Sequence, residues 1–140
     1  MLQLSTKGEL LFSLYKGEHK DNERNGIGVQ LFLSKDMYVG NWKKNKANGI
    51  GKIIFSDGSH LTGDFCDNMI QQGTFFYPNG AKYEGFFDDT TNEFFTNGKF
   101  YFSKGHILEG TWADGRIISG SIYMANDSKS EKPIVFNFAH

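Results

Sequence analysis

Glycine recurs along this chain at a nearly fixed interval, and that periodicity limits the available folds more than any other feature. Aligned on an aromatic residue or leucine, with a glycine two positions on and a ring two further, the units are Tyr15/Gly17/His19, Tyr38/Gly40/Trp42, Leu61/Gly63/Phe65, Tyr83/Gly85/Phe87 and Leu108/Gly110/Trp112. The glycines are 23, 23, 22 and 25 residues apart. An interval of this length marks tandem supersecondary units, each too small to bury its own apolar surface alone.

Each of these segments is followed by a polar stretch and then by a second apolar segment that opens on glycine: Gly26-Ile27-Gly28, Gly49-Ile50-Gly51, Gly73, Gly98 and Gly120. Seven residues beyond the last of these glycines comes a turn position, held by Asp57-Gly58, Asn79-Gly80 and Lys104-Gly105, with Lys35 and Asp127 at the equivalent sites. Asp-Gly and Asn-Gly between strands point to type I′ turns, in which both central residues take positive φ. Every unit therefore reads as strand, loop, strand, turn. Abundant Phe and Gly (14 and 17 residues) with only 2 Pro agree with an all-β chain. The expected fold is a single elongated, twisted antiparallel sheet of tandem β-hairpins.

Period-two geometry puts Tyr38, Gly40 and Trp42 on one face of their strand. A glycine flanked by large rings leaves a gap, so Gly17, Gly40, Gly63, Gly85 and Gly110 are assigned as structural. Each is expected to lie beneath a ring from a neighbouring repeat.

The complete unit YVGNWKKNKANGIGKIIFSDGSH resembles the MORN (membrane occupation and recognition nexus) repeat, in which YxGxW or YxGxF is followed by GxG and a turn glycine. Repeat 1 departs from it at His19, repeat 4 carries extra residues within DDTTNEFFTN, and repeat 5 lacks the turn glycine. The resemblance implies one domain over residues 1–140, with repeats at about 15–37, 38–60, 61–82, 83–107 and 108–127. Residues 1–14 and 128–140, which contain LLFSL and IVFNF, would act as an N-terminal capping strand and as a linker with a C-terminal capping strand.

The same resemblance implies a non-enzymatic scaffold or adaptor that binds a segment of another protein, extended or amphipathic helical. Its setting would be a cytoplasmic, cytoskeletal, ciliary or membrane-associated assembly. A phosphoinositide-binding membrane adaptor is one alternative. A regulatory repeat region of a larger enzyme, such as a lipid kinase or SET-domain methyltransferase, is another. The expected partner groove is lined by Tyr38, Trp42, Phe65, Tyr83 and Phe87. Lys43, Lys44 and Lys46 form the densest basic loop and are the expected contact for an anionic phospholipid or an acidic partner.

Charge and the scattered reactive residues exclude more than they support. A net charge of −1 gives no uniform field for nucleic acid, although residues 1–60 hold nine Lys or Arg against six acids and residues 61–140 hold six against ten. Gly49-Ile50-Gly51-Lys52 lacks phosphate-loop spacing. The four His and the single Cys66 fall at no metal-ligand spacing, so neither metal nor cofactor is expected. Cys66 is expected to be a buried, inert thiol. Asp57, Ser59 and His60 imitate a triad but share a turn, where side chains diverge. Asp88, Asp89 and Glu93 read as a solvated loop. No apolar run approaches the roughly 18 residues of a membrane helix, and the chain is expected to be soluble and unsecreted.

Overall fold

The computed structural model describes residues 14–87, 94–113, 116–124 and 133–138, without the side chains of 94–96. It is all-strand, with no helix among the described residues. The strands are β1 (Leu14–Lys20), β2 (Glu23–Leu31), β3 (Met37–Lys43), β4 (Lys46–Ile54), β5 (His60–Cys66), β6 (Met69–Phe76), β7 (Lys82–Phe87), β8 (Phe94–Tyr101), β9 (Ile107–Ala113), β10 (Arg116–Tyr123) and β11 (Ile134–Asn137). They form one open antiparallel sheet in which spatial order equals chain order. The IVFNF segment supplies β11, which pairs with β10. The LLFSL segment lies outside the described residues apart from Leu14.

Register aligns the repeat glycines into one line across the sheet. Gly17 faces Gly28, and the pairing continues through Gly40, Gly51, Gly63, Gly73, Gly85, Gly98 and Gly110 to Gly120. At the last strand Phe136 takes the next place, opposite Gly120.

The glycine line has a physical cause in the tyrosines beside it. A Cβ added at Gly51 would run into the Tyr38 ring, and one at Gly98 would run into Tyr83. Each tyrosine lies flat over the glycines of its own hairpin, with its hydroxyl donating to a backbone carbonyl: Tyr38 to Asn41 at 2.8 Å and Tyr83 to Phe86 at 2.8 Å. The cover therefore comes from within the repeat, because a tyrosine is long enough to span from its own strand to the next. The neighbouring repeat adds the second layer. The Trp42 indole N–H donates to the Gly28 carbonyl at 3.2 Å, and its ring meets Tyr15 edge-on at 5.5 Å.

The tight turns exchange places with the expected ones. In repeats 1 to 3 the polar stretches are two-residue type I′ hairpins, with positive φ at both Asp21 and Asn22, Lys44 and Asn45, and Asp67 and Asn68. The Asp57-Gly58 and Asn79-Gly80 connections between repeats are wider. Gly58 N–H donates to Phe55 C=O at 3.0 Å while Phe55 N–H donates to Ser59 C=O at 2.9 Å, and of the two named residues only the glycine has positive φ. This three-residue loop needs one left-handed residue, so a single glycine suffices, and Lys35 fills the same place at φ 72°.

Candidate functional site

The two faces of the sheet differ sharply. One carries the core: Tyr38, Trp42, Ile53, Leu61, Phe65, Ile70, Tyr83, Phe87 and Trp112 are all buried. Tyr38 packs edge-on against Trp42 at 5.0 Å and Phe65 at 5.2 Å, and Tyr83 does so against Phe87 at 5.5 Å and Trp112 at 5.9 Å. Such pairs add about 0.5 to 1.5 kcal/mol each beyond their burial. Burial also pushes the Tyr38 phenol up to about 12, and burial is the main reason that Tyr83 rises to about 12.

This placement corrects the expected groove. Tyr38, Trp42, Phe65, Tyr83 and Phe87 are between 0% and 5% exposed, so an incoming chain cannot reach them. They are held by one another because a single sheet has no second layer to bury its apolar side. The available surface is the opposite face, made of the alternate residues. There Ile27 and Ile50 occupy equivalent positions between two glycines and are 56% and 64% exposed. On the same face, two rows along, an in-register row runs through Leu31, Met37, Ile54, His60, Phe76, Lys82, Tyr101, Ile107 and Tyr123. Within it His60 stacks on Phe76 at 4.3 Å, and the Lys82 ammonium lies 4.7 Å from the Tyr101 ring centre.

Lys43, Lys44 and Lys46 surround the β3–β4 turn and are exposed. Between them Asn45 does structural work that the sequence reading missed. Its N–H donates to the Arg24 carbonyl at 3.1 Å, and its side-chain oxygen accepts from Arg24 N–H at 2.8 Å. Asn68 repeats the arrangement on Ala47, at 2.9 and 2.8 Å. Each Asn side chain thus stands in for a strand carbonyl and clasps one repeat to the one before. The signal was present in the spacing of Asn22, Asn45 and Asn68, 23 residues apart. Arg24 completes this junction: its guanidinium sits 4.5 Å from the Trp42 ring centre and donates to Gln30 Oε1 at 3.0 Å.

The other reactive residues are apart. Ser59 donates to Asp57 through both N–H and hydroxyl, closing the turn, while His60 turns to Phe76. Cys66 is exposed rather than buried, because alternation places Phe65 in the core and Cys66 on the other face beside the β5–β6 turn. Asp88, Asp89, Glu93 and Asp127 lie outside the described residues. Among the described residues no three metal-donor side chains come together.

An open, single-layer sheet of in-register hairpins, with a glycine line under stacked rings, defines a β-hairpin repeat module. The chain is a MORN repeat protein: residues 15–37 and 38–60 match the MORN repeat family model. No curated protein matches the chain. MORN repeats generally take part in protein or membrane interactions.

Proposed function

We propose that the chain is a non-enzymatic scaffold that receives a segment of a partner protein on the sheet face opposite its core. The observation that carries this reading is the exposed apolar series Ile27, Ile50, Ile54 and Phe86 on a face whose opposite side holds the core. Exposed apolar groups aligned on a rigid surface are characteristic of interaction sites, and a pre-formed sheet loses little entropy on binding. The setting proposed is the cytoplasm, at a cytoskeletal, ciliary or membrane-associated assembly.

Photo-crosslinking tests the reading. A benzophenone amino acid at Ile50 should capture a partner polypeptide in cells of the source, and Ile27→Asp should abolish capture without lowering the melting temperature. Capture from Val135 on β11 with none from Ile50 would move the interface to the sheet edge.

Anionic phospholipid is a second reading, supported by the three exposed lysines around one tight turn. Basic residues near an anionic surface contribute about 1 kcal/mol each. Sedimentation with phosphoinositide vesicles should then fall on charge reversal of Lys43, Lys44 and Lys46 and at high salt. Sedimentation indifferent to both would exclude this mode.

A further inference from the structure

Repeat 4 breaks a pattern that the other repeats keep on the outer face. The residue after the first-strand glycine is Glu18, Asn41, Asp64 and Thr111 in repeats 1, 2, 3 and 5. In each case its side chain joins a hydrogen bond to the adjacent strand: Glu18 accepts from Ile27 N–H at 2.6 Å and Asn41 donates to Ile50 C=O at 3.0 Å. Asp64 accepts from Gln72 at 3.2 Å, and Thr111 donates to Asn97 at 2.9 Å. Repeat 4 has Phe86 at this place, 52% exposed, with neither donor nor acceptor on its side chain. Burial does not account for a ring in that position.

Phe86 stands at one wall of an open depression of about 510 Å³, whose floor is the glycine line and whose other side chains are Glu84, Asn97, Lys99, Glu109 and Thr111. Two carboxylates face one ammonium. Lys99 lies 3.9 Å from Glu109, longer than a hydrogen bond, and Glu84 is met at 3.3 Å by Lys82 from outside the depression. Both carboxylates stay about half exposed. The lining thus combines a ring face, two half-exposed carboxylates whose lysine partners hold them only from one side, and the amide and hydroxyl oxygens of Asn97 and Thr111.

We infer that this depression is a subsite for an arginine side chain of the partner segment, with the guanidinium plane on Phe86 and its edge donors toward Glu84, Glu109 and Asn97. A guanidinium is planar, permanently charged and weakly hydrated, so it can stack on a ring while donating in its own plane, which an ammonium cannot do. The fold already uses this recognition internally, where Arg24 lies over Trp42 and donates to Gln30 and Asn45. The inference rests on the outer face being the partner surface.

The probe is the capped tripeptide acetyl-Gly-Arg-Gly-amide, titrated into the ¹⁵N-labelled chain and followed by amide chemical shifts. Saturable shifts at Gly85, Gly98, Gly110 and Thr111 are expected. Binding should weaken about fivefold with lysine in the peptide and further with uncharged citrulline. Phe86→Thr, which restores the residue type of repeat 5, should remove the shifts while leaving the melt unchanged. Glu84→Gln with Glu109→Gln should weaken them. No saturable shift, or equal shifts with citrulline or in Phe86→Thr, would overturn the subsite. Crosslinking at Ile50 would then still report on the face as a whole, so the two readings fail separately.

Discussion

Repeats 2 and 3 present the same backbone but fill the space above their glycines by different means. In repeat 2 the long Tyr38 ring reaches over Gly40 and Gly51, and the residue paired with Trp42 on the second strand is the small Ala47. In repeat 3 the shorter Leu61 stands at the tyrosine position, and the residue paired with Phe65 is Ile70, whose Cδ1 would lie 2.9 Å from a Cβ at Gly63. Repeat 5 follows the second solution, with Leu108 and with Ile117 opposite Trp112. A Cβ at Gly63 meets first the backbone of β6, not a ring. The glycine line is therefore set by a tyrosine ring at Gly28 and Gly51 and by close strand approach at Gly63, Gly73, Gly110 and Gly120, and in both cases the filler above it occupies a similar volume.

That comparison can be broken by exchanging the fillers. Tyr38→Leu removes ring contacts with Trp42 and Phe65 and should cost about 2 to 3 kcal/mol. Adding Ala47→Ile should recover part of the loss, with a coupling of about 1 kcal/mol or more in a denaturant double-mutant cycle. Strict additivity would show that the two solutions are not equivalent in volume.

The next difference should appear in alkali. Tyr38 and Tyr83 are raised from 10 to about 12, so at intermediate pH the unfolded chain has released protons that the folded chain still holds. Stability from this source is full below pH 10 and is lost as pH rises toward 12. Thermal melts should show a steeper fall over that window than in Tyr38→Phe or Tyr83→Phe. Parallel curves would mean that the phenols reach solvent freely.

The smallest effect separates the turns. Lys35 holds φ 72° where Gly58 holds 93°, so Lys35→Gly should stabilise by up to about 1 kcal/mol and Gly58→Ala should destabilise by a similar amount. Equal melts for Lys35→Gly and the parent would show that the local contacts of Lys35 offset its backbone cost.

The repeat was legible because glycine is the one residue that permits such close strand approach, and the spacing of Gly17, Gly40, Gly63, Gly85 and Gly110 exposed it directly. The turn glycines were legible in position but not in geometry: Asp57-Gly58 satisfies the short-range rule for a two-residue hairpin, whereas the hydrogen bonds from Phe55 N–H to Ser59 C=O and from Gly58 N–H to Phe55 C=O make a three-residue loop. That Tyr38, Trp42, Phe65, Tyr83 and Phe87 form the core was not legible for a different reason. Rings on an alternating strand look alike whether they pack on each other or await a partner, and Trp42 and Phe65 gave no local sign of which.

What the sequence determined by itself is the strand and turn order, the number of hairpins and their pairing with chain neighbours, since alternation and glycine spacing are local properties. Tertiary structure alone decided which face closes. Only when Tyr38 lies across Gly51, with Trp42 and Phe65 against its edges, does that side exclude water, and this leaves Ile27, Ile50 and Phe86 on the side that remains open.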